Sequence, residues 1–248
     1  MAGLDWLAAR PIAHRGLHDA ARGIVENTVS AFSAAIAENY AIECDLQISA
    51  DGEAMVHHDD ALGRLTEGSG ALAAMPAAEI KRAVFRQSAD RIITLGELCD
   101  LVGGRSALVI EMKSHFDGAL DLPRRVADVL RNYAGPVAVM SFDPGQIAAV
   151  SDAAPGLPRG IVAERRYDHP EWRGLAGWQK FQLAHLLHVF RTRPHFVAYG
   201  VKDLPAFAPL FARWAFGLPL LTWTVRNEAD RARARRYADQ MIFEGIRP

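Results

Sequence analysis

Short apolar runs alternate along the chain with longer segments in which apolar residues recur every three or four positions. The short runs predict strands and the longer segments predict amphipathic helices, because side chains repeat with a period of two in strands and 3.6 in helices. The predicted strands are 11–14, 41–47, 54–58, 107–113, 136–142, 159–163, 196–201, 218–225 and 240–243. The predicted helices are 27–39, 94–102, 117–133, 144–153, 179–189, 204–216 and 228–238.

About eight strand–helix units in a chain of 248 residues predict an α/β fold with a closed parallel barrel. An open doubly wound sheet is the alternative architecture. Segment 59–91 departs from the alternation, since it carries scattered glycines and a proline. We expect one barrel domain over 1–248, with an insertion at about 59–91 that contains short helices such as 77–85.

Composition excludes several classes of protein. The formal net charge is −1, which argues against a nucleic-acid partner. The N-terminal segment lacks the pattern of a secretory signal, and no apolar run reaches the length of a membrane-spanning helix. The two cysteines, Cys44 and Cys99, lack metal-binding spacing. We therefore expect a cytoplasmic protein without stable membrane insertion, and we expect most of its tryptophans to lie in the core.

Three acidic residues lie on predicted strands. Glu43 and Asp45 are two residues apart, so both side chains point to one face of their strand. Glu111 and Lys113 show the same spacing at the end of a later strand. Oxygen ligands of this kind suit Mg²⁺ or Ca²⁺. The alternative is a layer of ion pairs without metal, in which Arg15 and Lys113 neutralise the three carboxylates.

Histidines at strand ends add the capacity for proton transfer. His14 and Arg15 end the first strand, and His57 and His58 end the strand 54–58. By strand alternation only one histidine of that pair can face the acids. Two histidines could act as general acid and base, while Arg15 and Lys113 bind an anion. The set points to metal-assisted hydrolysis of a phosphodiester.

An ordered series of motifs sharpens this interpretation. The chain contains AHRG at 13–16, VENTVSAFSAAI at 25–36 and IECDLQISADGEAMVHHDDALGRLTEG at 42–68. TLGEL follows at 94–98, IEMK at 110–113, SFD at 141–143 and TWTV at 222–225. In order and spacing the series resembles the glycerophosphodiester phosphodiesterase family over almost the whole chain.

The resemblance implies a TIM-type (β/α)8 barrel with a small inserted subdomain and a divalent cation, Mg²⁺ or Ca²⁺. It implies metal ligation by Glu43, Asp45 and Glu111, and acid/base catalysis by His14 and His58. It further implies substrate or phosphate binding by Arg15, Lys113 and Trp223, with Glu26 and Asn27 as supporting residues. The implied reaction is hydrolysis of glycerophosphodiesters to sn-glycerol 3-phosphate and an alcohol, on a small-molecule substrate.

Two positions depart from the family pattern. Val25 replaces the proline that usually precedes Glu-Asn-Thr, and the C-terminal strand lacks the usual Asp-Gly and Thr-Asp, with Glu244 near the lost aspartate. Neither change touches the proposed metal or histidine positions, which argues against a pseudoenzyme. Lysophospholipase D-type cleavage and a non-catalytic phosphoester-binding barrel remain the alternative functions.

Overall fold

The computed structural model describes residues 3–248, apart from the side chain of residue 170. Its strands are β1 (Ile12–Ala13), β2 (Ala41–Ile48), β3 (Ala54–Val56), β4 (Ala61–Leu62), β5 (Gly70–Ala71), β6 (Leu108–Met112), β7 (Val137–Ser141), β8 (Arg159–Ala163), β9 (Phe196–Gly200), β10 (Leu220–Val225) and β11 (Gln240–Phe243). Its helices are α1 (Asp5–Ala9), α2 (Val29–Ala37), α3 (Ala77–Ile80), α4 (Leu95–Val102), α5 (Asp121–Leu130), α6 (Pro144–Ala153), α7 (Gly177–Ala184), α8 (Val189–Thr192), α9 (Phe207–Phe216) and α10 (Glu228–Tyr237).

Eight parallel strands close into a barrel. Their order is β1-β11-β10-β9-β8-β7-β6-β2, and β1 also pairs with β2. The pairing of the first strand with both the second and the last leaves this sheet without a free edge. The predicted (β/α)8 barrel is therefore confirmed, and the open doubly wound alternative is wrong.

Local sequence signals set several helix starts. Thr94 accepts a hydrogen bond from the Glu97 N–H and Glu97 accepts one from the Thr94 N–H, which forms the capping box of α4. The Asp143 and Asn227 side chains cap α6 and α10 by accepting backbone hydrogen bonds. Each cap follows a barrel strand or a connecting loop directly, so the chain turns from the strand layer into the helix layer within a few residues.

Several predicted elements differ from the observed ones; the helix expected at 77–85 is only Ala77–Ile80, and the helix expected at 204–216 begins at Phe207. The strand predicted at 54–58 is the short β3, which pairs antiparallel with β2 instead of joining the barrel. The Ser49 N–H donates to the Glu53 carbonyl at 2.9 Å, and such a tight turn can return the chain only antiparallel. The helix predicted at 117–133 begins at Asp121, after Gly118 with φ +84°. The helix predicted at 179–189 is interrupted where Leu186 has φ +55°.

Segment 59–91 folds over β3 as a small layer of its own. β4 and β5 form a two-stranded antiparallel sheet, and α3 follows. Leu72, Ile80 and Phe85 from this segment pack on Met55 of β3 and on Ile92. This cluster is separate from the main core. That the segment is a distinct subdomain of a single barrel domain stays a prediction.

The barrel strands sort their side chains into two layers. Ile42 and Cys44 of β2 point outward into the large core between strands and helices. Ala41 of β2 and Val109 of β6 point inward, where they pack with apolar residues of the other strands. Because side chains alternate along a strand, Glu43, Asp45 and Glu111 share the inward orientation. The carboxylates therefore lie above the apolar floor of the barrel interior.

The expectation that most tryptophans are core residues is wrong for two of them. Trp172 is buried, but Trp178 is 64% exposed and Trp214 is 82% exposed. Trp214 lies on α9, whose inward side is occupied by Pro209 and Ala212. The burial tendency of tryptophan did not predict which face of these helices would be covered.

Gly160 on β8 allows a direct test of the described packing inside the barrel. A Cβ atom there would lie 2.3 Å from the ring of Phe196, which is fully buried among the apolar side chains inside the barrel. We expect Gly160→Ala to lower the free energy of unfolding by about 1–3 kcal/mol, as overpacked cores do. Denaturant unfolding measures the change.

Gly156→Ala is the matched control, since no atom lies within 4 Å of a Cβ at Gly156. Equal stabilities for the two variants would contradict the described packing of the barrel interior.

Candidate active site

The turn after β1 places the first group of site residues. Arg15 and Gly16 have φ of +56° and +77°. A Cβ atom at Gly16 would lie 2.9 Å from the Ala31 backbone, so only glycine fits this turn. The turn directs the Arg15 N–H to Glu43 Oε2 at 2.9 Å. The His-Arg-Gly motif thus joins the end of β1 to the acidic strand β2.

Three carboxylates from neighbouring strands converge at this end of the barrel. Asp45 lies directly opposite Glu111 in the register of β2 and β6, and Glu43 is one inward position earlier on β2. All three side chains are buried, and one oxygen from each lies within 4.8 Å of the others. Their spacing allows one cation to contact all three.

Two cations are held against these carboxylates. Lys113 Nζ lies 2.8 Å from Asp45 Oδ1 and 2.7 Å from Glu111 Oε1, and Arg15 Nε lies 3.2 Å from Asp45 Oδ2. Burial opposes ionisation of Asp45, but Lys113 and Arg15 outweigh it and hold the Asp45 pKa well below its usual range. The ion pairs of the metal-free alternative are therefore present.

These ion pairs leave one oxygen of Glu43 without a partner. Its Oε1 is buried and receives no hydrogen bond from residues 3–248. Burial, together with the charges of Asp45 and Glu111, raises the Glu43 pKa well above its ordinary value. A buried carboxylate in this state is costly unless a further positive charge reaches it. The three hard oxygen donors fit a divalent cation, which would supply that charge.

His14 is oriented by a carboxylate from the far end of the chain. His14 Nδ1 lies 2.9 Å from Glu244 Oε2, directly after β11. Because a carboxylate can only accept, Nδ1 must carry the proton of this hydrogen bond. The other ring nitrogen, Nε2, lies 3.9 Å from Glu43 Oε2. The imidazole therefore presents Nε2 to the carboxylate cluster.

His58 is oriented in the same way by its neighbour. Its Nδ1 lies 2.8 Å from Asp59 Oδ1, and Arg64 Nε lies 2.6 Å from Asp59 Oδ2. Arg64 also contacts Glu26, which in turn binds Arg15 at 2.8 Å. A continuous chain of charged groups thus joins the segment 59–91 to the turn after β1.

Asn27 fixes the position of the central carboxylate. Its Nδ2 donates to Asp45 Oδ2 at 2.9 Å, and its Oδ1 accepts from the Asp45 N–H at 3.3 Å. The residue has φ +56°, a conformation that non-glycine residues rarely adopt. The next residue, Thr28, caps α2 by accepting a hydrogen bond from the Ala31 N–H. The Glu-Asn-Thr motif therefore links a helix start to Asp45.

Aromatic residues line the other side of the barrel mouth. Phe142 packs against Trp223 at 5.5 Å and against Trp172 at 4.9 Å between ring centroids. Trp223 Nε1 is buried and has no acceptor among the described residues. Glu164, directly after β8, accepts a hydrogen bond from Trp172 Nε1 at 2.7 Å. Burial raises the pKa of Glu164 to about 7.

The structure brings the predicted polar site residues into one connected set. The contacts above join His14, Arg15, Glu26, Asn27, Glu43, Asp45, Glu111 and Lys113. His58 reaches Arg15 through Asp59, Arg64 and Glu26, and Trp223 lies at the aromatic side. Sequence reasoning missed the contacts of Glu244, Arg64 and Glu164. Glu244 and Glu164 directly follow barrel strands, which is the position where barrel enzymes place their functional groups. That position could have marked both residues.

Comparison with known proteins agrees with this geometry. The profile of the "Glycerophosphoryl diester phosphodiesterase family" matches residues 14–245. The chain belongs to the glycerophosphoryl diester phosphodiesterase family. Members of the family are phosphoric diester hydrolases, so this chain is an enzyme of that class.

Individual relatives are distant but cover nearly the whole chain. A glycerophosphodiester phosphodiesterase of Caldanaerobacter subterraneus subsp. tengcongensis is 28% identical over 90% of this chain and 88% of its own length. A phosphodiesterase of Oleispira antarctica, solved with the product sn-glycerol-3-phosphate, has a TM-score of 0.74 at 20% identity, covering 94% of this chain and 91% of that chain. A glycerophosphodiester phosphodiesterase of Thermotoga maritima has a TM-score of 0.70 at 21% identity, covering 94% and 92%. The two solved structures share the fold of this phosphodiesterase.

No helix within the described part of this phosphodiesterase has both the length and the apolar character needed to cross a bilayer.

The unpartnered oxygen of Glu43 predicts how a bound divalent cation changes thermal stability. In chelator, Glu43→Gln should melt at or above the wild-type temperature, because the change removes like-charge repulsion from a buried site. Mg²⁺ or Ca²⁺ at about 100 times its Kd should raise the wild-type Tm by roughly 5–10 °C, since a ligand of the native state stabilises it. The rise should be much smaller in Glu43→Gln. Differential scanning calorimetry measures both effects.

The exposed Glu79→Gln provides the control, and it should show the full wild-type shift. A shift of the same size in Glu43→Gln would contradict metal binding by the cluster.

Proposed function

We propose that this enzyme hydrolyses glycerophosphodiesters to sn-glycerol 3-phosphate and an alcohol. The observation that carries the proposal is the three-carboxylate cluster beside His14, together with His58, each histidine having Nδ1 fixed by a carboxylate. The relative from Oleispira antarctica, whose solved structure contains sn-glycerol-3-phosphate, supports the choice of substrate class.

Glu43, Asp45 and Glu111 would hold a divalent cation. When bound, the cation would neutralise charge on the phosphoryl oxygens and favour attack at phosphorus. The choice between Mg²⁺ and Ca²⁺ depends on coordination number, so the proposal covers both ions.

Arg15 and Lys113 would bind the phosphodiester. Burial opposes the charge of both side chains, but Asp45 and the neighbouring carboxylates outweigh it and raise both pKa values above the ordinary range, so both side chains stay charged at neutral pH. Arg15 offers a planar fork that matches two phosphoryl oxygens, and Lys113 adds a point charge. Trp223 would line the pocket and donate its unpaired indole N–H to the substrate. Glu26 and Asn27 would keep Arg15 and Asp45 in place.

The two histidines would divide the proton transfers. One imidazole Nε2 takes the proton of the attacking oxygen as the new P–O bond forms. The other, protonated at Nε2, gives its proton to the leaving alkoxide as the old P–O bond breaks. Each Nδ1 keeps its own proton because its carboxylate partner accepts that hydrogen bond.

Removal of either imidazole tests these roles. His14→Ala and His58→Ala should each lower the turnover of glycerophosphocholine by about 10²–10⁴-fold, the usual contribution of a general acid or base. Coupled-enzyme detection of sn-glycerol 3-phosphate measures the rate. His185→Ala, on an exposed position of the same chain, should keep wild-type turnover. Near-normal turnover in both His14→Ala and His58→Ala would contradict the roles of these histidines as general acid and base.

The contact between Glu244 and His14 predicts an effect on turnover that is distinct from any effect on substrate binding. Glu244→Ala should lower kcat by about 10–100-fold, the range for groups that orient a functional side chain from behind. Glu244→Gln keeps an oxygen that accepts from His14 Nδ1 and should recover most of the rate. KM should change little in either variant, since Glu244 does not face the phosphodiester in this proposal.

Arg226→Gln is the control for this series, because it removes the other partner of Glu244, at 2.9 Å, without touching His14. Equal loss of kcat in Glu244→Gln and Glu244→Ala would show that charge or packing, rather than orientation of His14, is what Glu244 provides.

A further inference from the structure

An exposed aromatic surface covers one flank of the barrel. Eight of the nine exposed large apolar side chains among the described residues fall between positions 178 and 216. Five of them form a connected surface, the aromatic face, defined as Phe190, Phe207, Phe211, Trp214 and Phe216. Consecutive ring pairs within it have centroids 5.4–6.1 Å apart. Contiguous apolar surfaces of this kind mark interaction sites.

Helix α9 is built to present this face outward. Phe207, Phe211 and Trp214 follow the i, i+4, i+7 spacing of a single helix face, and the first and last are 80% and 82% exposed. Pro209 and Ala212 occupy the opposite, buried side. The helix therefore has one apolar side in the core and a second, aromatic side directed to solvent. Packing against the barrel explains only the buried side of α9, not its aromatic side.

The segment that carries the aromatic face is rich in positive charge. Residues 172–218 contain six basic and one acidic side chain, whereas the whole chain has 28 basic and 29 acidic residues. Two of the six, Lys202 and Arg213, pair with Asp230 and Asp239 from outside this segment. Arg191 and Arg193 lie one and three residues after Phe190, are exposed, and form no ion pair among residues 3–248. The remainder of the molecule is accordingly acidic. The flank is thus a cationic aromatic surface on an otherwise anionic protein.

This charge argues against a second copy of the chain as the occupant. A two-fold interface brings the same patch of both subunits together. The basic residues of the flank would then approach those of the other subunit, and residues 172–218 offer only Asp203 as an acidic partner. A partner that buries the aromatic face must instead carry negative charge.

We propose that the aromatic face binds the surface of a bilayer that contains anionic phospholipid. Phenylalanine and tryptophan rings insert at the level of the headgroups, and nearby basic residues gain from the negative surface potential. Apolar insertion and electrostatic attraction together give stable but reversible adsorption. The bilayer is contacted by the flank only, without a spanning segment.

Adsorption in this way orients the barrel. Helix α9 follows β9, so Phe207 lies at the carboxyl ends of the strands, where the candidate active site opens, while Phe216 lies towards the other end. The barrel would rest on its side, with the rim of its mouth close to the headgroups. The binding itself does not depend on the proposed reaction.

Co-sedimentation with vesicles tests the proposal on the full chain. The wild-type protein should sediment with vesicles of phosphatidylcholine and phosphatidylglycerol, and much less with phosphatidylcholine alone. Phe207→Ser/Trp214→Ser and Arg191→Gln/Arg193→Gln should each weaken binding to the anionic vesicles by at least about ten-fold. All four positions are exposed, so circular dichroism should show wild-type folding.

Arg235→Gln/Arg236→Gln on α10 is the matched charge control and should bind like the wild type, since both residues are exposed outside the aromatic face. Absence of wild-type binding to anionic vesicles would overturn the proposal. So would equal loss of binding in the control, which would show attraction by general charge. Concentration-dependent dimers that Phe207→Ser/Trp214→Ser abolishes, without vesicle binding, would assign the face to a second copy.

Discussion

The structure depends on the burial of three carboxylates at the mouth of a barrel whose floor is apolar. Glu43, Asp45 and Glu111 lie side by side on adjacent strands, where water cannot screen their mutual repulsion. Arg15 and Lys113 are held against them, and the Asn27 side-chain amide donates a hydrogen bond to Asp45. The left-handed turn after β1 directs Arg15 towards these carboxylates, and the Glu-Asn-Thr motif places Asn27 beside Asp45. A divalent cation bound at Glu43 would balance the remaining negative charge.

Period-two alternation made the acidic cluster predictable. Glu43 and Asp45 had to share a face with each other, and parallel strands had to bring Glu111 near them. The barrel itself followed from the number of strand–helix units. Residues whose position depends only on their own strand were therefore placed by the sequence pattern, and the family resemblance added His14 and His58.

Contacts set by closure of the fold could not be predicted in this way. Glu244 meets His14 across 230 positions because β11 pairs with β1 when the barrel closes. Arg64 reaches Glu26 only because segment 59–91 folds back over β3. The exposure of Trp214 depends on which side of α9 faces the barrel. Local sequence patterns do not contain these long-range contacts. The tight turn between β2 and β3 also made β3 antiparallel to β2, whereas we expected it to follow the parallel alternation.

Metal-dependent hydrolysis is tested most directly by release of sn-glycerol 3-phosphate from glycerophosphocholine by protein stripped with chelator and then supplied with Mg²⁺, Ca²⁺ or Mn²⁺ separately. The stripped protein should show no release, and at least one of the three ions should restore it. Release at the full rate in chelator, or no release with any ion, would contradict hydrolysis of glycerophosphodiesters at the three-carboxylate site.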